Sequence, residues 1–175
     1  MKMPTQFPKV VKDMFFVQMS WALWFLGFLL IVNVVKMARA FFQDGTTDHY
    51  FAAVFIPANL FMVVIGIISV FFLPHYVSLG VTRKVYFKGT LIAAIGISAV
   101  IPILTIGIYV LQQWIVHSFT TFSFKVTDLN SILLEIDSHV VAELVQSIIL
   151  SPYVDPGSNG GLAVIVFGLN MLIYY

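Results

Sequence analysis

Residues 51–73, FAAVFIPANLFMVVIGIISVFFL, form an apolar run that contains no charged side chain. A helix needs about 20 residues, at about 1.5 Å each, to cross the hydrocarbon core of a bilayer. Within that core the backbone polar groups must be satisfied inside the segment, and a helix does this. The run therefore predicts a transmembrane helix, and it decides the fold class.

Three further apolar runs flank the first. They cover residues 14–35, 90–116 and 161–175, and the last is short enough to be a span that is cut off part-way. The chain is 60% apolar and 10% charged, whereas soluble domains carry about 25% charged residues. We therefore predict one all-α domain over residues 1–175, a polytopic transmembrane helix bundle of about four spans.

The segments outside the spans have distinct predicted structures. Residues 1–13 form a lysine-bearing segment at the membrane interface, before the first span. Residues 117–160 form an outer loop whose middle has helical apolar spacing, at Leu129, Ile132, Leu133, Ile136, Val140, Leu144 and Ile148. We expect this long amphipathic helix to pack on the bundle. Its acidic and histidine side chains do not form a metal motif, so no metal site is predicted.

The distribution of lysine and arginine predicts the orientation. If the N-terminus is cytoplasmic, six of the nine basic residues lie on that side. These are Lys2, Lys9, Lys12, Arg83, Lys84 and Lys88, against Lys36, Arg39 and Lys125 outside. The positive-inside rule then favours a multi-pass protein of the cell membrane with its N-terminus in the cytoplasm.

The loop between the second and third spans, residues 74–89 (PHYVSLGVTRKVYFKG), is basic but also aromatic. Pro74 is expected to end or kink the second span. Gly80 fits a helix C-cap and Thr82 an N-cap, so a new helix begins at Arg83. That helix would run to Val116, about 51 Å, and exceed the roughly 30 Å core. The loop is thus predicted to be a rigid cytoplasmic knob.

Two interpretations of this loop remain open on physical grounds. An ordinary positive-inside loop with aromatic interface anchors would have the same composition. Alternatively, the knob is a surface that docks on a partner.

The run Gly80, Thr82, Arg83, Lys84, Tyr86 and Phe87 resembles the loop between spans two and three of bacterial ABC transporter permeases of the type-2 exporter class. There, a short coupling helix followed by such a run contacts the cytosolic ATPase. The segment before the first span also resembles the interfacial helix of that class. The chain departs from the class in having about four predicted spans where these permeases usually have six. It is therefore either a fragment of such a permease or a protein of another kind.

The resemblance implies that this chain has a transport function and does not itself catalyse a reaction. The partners would be the lipid bilayer, a cytosolic ABC ATPase subunit that holds ATP, and a second permease subunit of the same or another kind. The implied ATPase contacts are Tyr76, Leu79, Gly80, Thr82, Arg83, Lys84, Tyr86 and Phe87. No catalytic or cofactor-binding residue, and no nucleic-acid partner, is predicted.

The alternative is a small multispan membrane protein of interaction, immunity or assembly type, without transport activity. The spans contain no charged side chain, which argues against a proton relay or an ion path. Four amides in or beside them are predicted to form interhelical hydrogen bonds: Asn33, Asn59, Gln112 and Gln113.

Overall fold

The structure, a computed structural model, describes residues 6–42, 47–119, 147 and 151–175. These residues form four helices: α1 (Phe7–Phe42), α2 (Tyr50–Ser78), α3 (Arg83–Phe119) and α4 (Pro156–Tyr174). All four are long and apolar enough to cross a membrane. The predicted all-α transmembrane bundle is confirmed, and the chain is a multi-pass membrane protein. The predicted outer helix in residues 117–160 lies almost entirely outside the described residues.

The first three helices are longer than the apolar runs that predict them. The lysine-bearing segment after residue 6 is continuous with the first span, so α1 has 36 residues. With 37 residues, α3 is about 55 Å long, well beyond a hydrocarbon core of about 30 Å. Since α2 and α3 meet at residues 79–82, we call that end of the bundle the turn end.

The second helix does not end at Pro74. Proline removes one backbone donor, but the helical bonding resumes beyond it, with the Leu79 N–H donating to the His75 carbonyl over 3.2 Å. As a result α2 runs unbroken to Ser78, and no separate short helix precedes the turn.

The fourth helix begins earlier than its apolar run, at Pro156. Asp155 caps it by accepting from the Gly157 N–H at 3.0 Å, and proline is favoured in the first turn. The helix is interrupted at Asn159, whose φ of −156° and ψ of 95° are not helical. The Asn159 side chain then accepts from the Leu162 N–H at 3.0 Å and caps the remainder. The Gly- and Pro-rich segment therefore contributes a kinked first turn.

The centre of the bundle is an aromatic core between α2, α3 and α4. Phe167 on α4 packs against Phe51 and Phe55 on α2, with ring centroids 5.4 and 5.1 Å apart. Backbones approach closely beside this core, because a Cβ at Gly168 would lie 2.8 Å from the Ser98 carbonyl oxygen on α3. Small residues permit such contacts between membrane helices. The third helix contacts the other three and is the central element.

Polar side chains connect the helices near both ends of the core. Towards the turn end, the Gln18 amide donates to the Ser69 hydroxyl at 2.7 Å and to the Tyr175 hydroxyl at 3.0 Å. Towards the opposite end, the Gln112 amide donates to Asn33 at 3.0 Å and accepts from the Tyr50 N–H at 2.8 Å. Each group joins residues from different helices.

These contacts confirm the predicted interhelical role of Asn33 and Gln112. For Gln113 the interhelical hydrogen bond stays a prediction. Asn59 is fully buried, and its side chain has no hydrogen-bond partner within residues 6–42, 47–119 and 151–175. No feature of these residues explains that exception.

A histidine joins the first turns of α2 and α4 at the opposite end. His49 caps α2, since its Nδ1 accepts from the Ala52 N–H at 3.2 Å. The proton is therefore on Nε2, which donates to Asp155 Oδ1 at 3.1 Å. Burial lowers the pKa of His49, although Asp155 and Asp48 oppose this shift. Protonation of Nδ1 would remove the acceptor that caps α2.

We expect the stability of the bundle to decrease as the pH falls through the range in which His49 titrates. The pKa of His49 is lowered by folding, so the unfolded chain takes up the proton first, below pH about 6.5. The contribution of His49 is complete above that pH and is lost as the pH falls towards the folded-state pKa. Thermal unfolding of the protein in detergent between pH 8 and 5 measures this loss.

Two variants isolate the contribution of His49. His49→Asn keeps a side chain that can cap a helix but does not titrate, so its melting temperature should depend less on pH. His75→Asn removes an exposed histidine at the turn end and should behave as the wild type does. An equal loss on acidification in the wild type and in His49→Asn would contradict the assignment.

Candidate docking surface at the turn end

The knob, residues 74–89, is built by two caps on either side of a tight turn. Gly80 has a φ of +82°, which glycine adopts without steric cost. The Gly80 N–H donates to the Val77 carbonyl and the Val81 N–H to the Tyr76 carbonyl, each over 3.0 Å. The hydroxyl of Thr82 accepts from the Val85 N–H at 3.3 Å. The predicted N-cap at Thr82 is confirmed. The C-cap of α2 is Leu79, and Gly80 is the residue after it, where its positive φ ends the helix.

The start of α1 packs against the knob and stabilises it. Val81 and Val85 are buried in a cluster with Val10 and Met14, which lie four residues apart on one face of α1. These contacts hold one face of the first turns of α1 against the knob, while Lys9, Lys12 and Asp13 on the other face are exposed. The sequence interpretation missed this support, although the spacing of Val10 and Met14 was a signal for it.

Two tyrosines of the predicted docking set face inwards. Tyr86 is only 4% exposed, and its hydroxyl donates to the Ser69 carbonyl on α2 at 2.5 Å. Tyr76 is half-buried, and its hydroxyl donates to the Asp13 carboxylate on α1. Both side chains therefore hold the knob onto the bundle, and Asp13 is a further residue that the sequence interpretation did not identify.

The remaining residues of the set lie on the outer surface. Leu79 and Phe87 are 62% and 68% exposed, and Thr82, Arg83 and Lys84 are exposed beside them. Gly80 contributes its backbone to the turn. The structure thus divides the eight residues into an outer surface and an inner support. Whether the outer surface contacts a partner stays a prediction.

The turn end is strongly basic. Lys9 and Lys12 line a cavity of about 580 Å³ between α1 and the knob, and Arg83, Lys84 and Lys88 are exposed on the first turns of α3. Asp13 is the single acidic residue within the described parts of α1, and it accepts a hydrogen bond from Tyr76. The basic side chains can attract anionic groups of a partner, and the exposed Leu79 and Phe87 can pack against apolar groups beside them. Among the described residues, no group of three or more His, Cys, Asp or Glu side chains could hold a metal ion.

Comparison of the chain with protein-family models, with curated proteins and with solved structures gave no match. The functional interpretation therefore rests on the geometry of the turn end and on the short sequence resemblance.

The turn geometry should depend on Gly80. A residue with a Cβ at φ +82° is strained by about 1–2 kcal/mol, so we expect Gly80→Ala to lower the free energy of unfolding by that amount. Gly27→Ala is the matched control, because a Cβ there meets no atom within 4 Å, and alanine is favoured in a helix by about 1 kcal/mol. Unfolding in mixed micelles measures both. Equal effects of the two substitutions would contradict the assigned turn.

Proposed function

We propose that the chain is a membrane-spanning subunit of an ATP-driven exporter, and that its knob docks on a cytosolic ATPase subunit. The observation that carries this proposal is the division of the knob into an exposed basic and apolar surface and a buried support. A surface that transmits force must not move relative to its helices. Here the Tyr86–Ser69 and Tyr76–Asp13 hydrogen bonds tie the surface to α2 and α1.

The helices are suited to carry a movement from the knob across the membrane. Both α2, with 29 residues, and α3, with 37 residues, enter the knob directly. A force applied at Arg83 or Leu79 therefore acts on the ends of two continuous helices. We infer that closure of the ATPase pair on ATP tilts α2 and α3 together.

The interior of the bundle favours a substrate path between two permease subunits. The centre is filled by Phe51, Phe55 and Phe167, and Gln18, Asn33 and Gln112 bond to other groups of the chain. A path through this core would need to break these contacts. A second copy or a related subunit would supply the other wall.

One observation favours a second candidate, a membrane-interaction protein without transport activity. The resemblance implies a separate coupling helix before the turn, whereas α2 continues through Pro74 to Ser78. In that case the same outer surface would hold a partner without transmitting a movement.

Charge reversal at the knob should disrupt docking. We expect Arg83→Glu to reduce co-purification of a P-loop ATPase with the tagged chain from its native membrane at least about tenfold, corresponding to about 1.4 kcal/mol. Arg39→Glu makes the same charge change near the end of α1 at the opposite end and should have no effect. Quantitative mass spectrometry and the ATPase activity of the eluates provide the measurement.

Two results would overturn the proposal. One is a wild-type amount of active ATPase with Arg83→Glu. The other is the absence of any P-loop ATPase from the wild-type complex, which would favour the second candidate.

The orientation can be tested separately because the chain contains no cysteine. We expect Ser78→Cys, at the turn end, to react with a membrane-impermeant maleimide only after the cells are permeabilised. Ser158→Cys, in the first turn of α4, should react in intact cells. Both serines are exposed. Labelling of Ser78→Cys in intact cells would place the knob outside the cytoplasm and exclude a cytosolic partner.

A further inference from the structure

A groove of about 490 Å³ opens on the side of the bundle near the turn end. Val70 and Leu73 on α2 form one wall, Phe87 and Leu91 on α3 form the other, and Leu172 on α4 contributes to the lining. Its volume is within the range of roughly 300–1,000 Å³ found for small-molecule sites. Val70 and Phe87 are 69% and 68% exposed, so the groove opens sideways towards lipid.

The hydroxyl groups in the groove already form hydrogen bonds within the chain. The Ser69 hydroxyl donates to the Ile65 carbonyl at 2.8 Å, and Thr90 donates to the Tyr86 carbonyl at 2.9 Å. The Tyr175 hydroxyl lies 2.8 Å from the Ser69 hydroxyl. These groups do not require a polar ligand, and the groove offers a mainly apolar surface at membrane depth.

The end of the groove nearest the turn is positively charged, because Arg83 lies there. Its side chain is exposed, and it forms no ion pair with any other described residue. Arg83 is the first residue of α3, and α3 extends beyond the hydrocarbon core, so the guanidinium lies where lipid headgroups are found. Arginine recognises phosphate through two parallel hydrogen bonds.

We propose that this groove binds one anionic glycerophospholipid from the leaflet at the turn end. An acyl chain occupies the groove between α2 and α3, and the phosphate accepts hydrogen bonds from Arg83. Basic sites between transmembrane helices are known to hold lipid headgroups. This site does not depend on the proposed transport function, since it uses the chain alone.

The charge at the groove favours a lipid over a second protein helix. A packed helix would cover Val70, Leu73, Phe87 and Leu91 without needing a cation at one end. A phospholipid matches both the apolar walls of the groove and the cation at its end, because its apolar chain is joined to an anionic group at the membrane surface. Lys84 provides a control, since it is an adjacent exposed cation that does not line the groove.

Native mass spectrometry of the purified full chain tests the headgroup. The probe is phosphatidylglycerol, compared with diacylglycerol that carries the same acyl chains. We expect phosphatidylglycerol to bind at least about tenfold more tightly, which corresponds to one charge-assisted contact. Arg83→Gln should remove this preference, and Lys84→Gln should retain it. Equal binding of the two lipids to the wild type, or equal effects of the two substitutions, would overturn the proposal.

A second pair of variants tests the groove itself. Val70→Trp places a larger side chain in the groove and should reduce binding of phosphatidylglycerol at least fivefold. Phe71→Trp alters the next exposed residue of α2, which does not line the groove, and should bind as the wild type does. Since Val70 and Phe71 are both exposed, folding is retained, and circular dichroism confirms it. Unchanged binding by Val70→Trp would place the lipid elsewhere and overturn the assignment.

Discussion

Hydrocarbon cannot form hydrogen bonds, and the arrangement of the four helices depends on this constraint. Backbone groups are satisfied within each helix, whereas a side-chain amide in a span is satisfied by a partner on another helix, as for Gln18 and Gln112 though not, among the described residues, for Asn59. Gln18 finds Ser69 and Tyr175, and Gln112 finds Asn33 and the start of α2. These few contacts select one lateral arrangement from the many that apolar surfaces alone would allow.

Local rules predict much of this structure from the sequence. The lengths of the apolar runs give the four helices, because bilayer thickness restricts each span independently of the others. Gly80 and Thr82 predict the turn, since φ and capping depend on adjacent residues. The continuation of α2 through Pro74 was not predicted, because the cost of proline depends on what surrounds the helix.

The sequence also did not predict that the side chains of Tyr76 and Tyr86 face the interior of the bundle. Tyr86 and Phe87 are both aromatic and adjacent, and composition gives no reason to bury the first and expose the second. The choice depends on where the start of α1 packs, which brings Met14 beneath Tyr86 and Asp13 beside Tyr76. Contacts between segments more than sixty residues apart cannot be obtained from local spacing.

Arg83 belongs both to the proposed docking surface and to the groove, because it is exposed at the knob and lines the groove. A phosphate held there would neutralise the residue that the proposed partner contact uses. Lys84 and Leu79 would then carry more of the docking surface. Lipid composition could in this way alter the affinity for a partner without any change in the helices.

The position of α1 has a consequence for synthesis of the protein in the membrane. This helix precedes α2 and α3 in the chain, but it packs chiefly against α3 and much less against α2. The chain from Ser78 to the end of α3 at Phe119 takes roughly 2–8 s to synthesise at about 5–20 residues per second. During that interval the Asn33 amide can donate to the Asp48 carbonyl, but its oxygen lacks the Gln112 donor. Most of the packing of α1 can therefore form only after α3 has been synthesised.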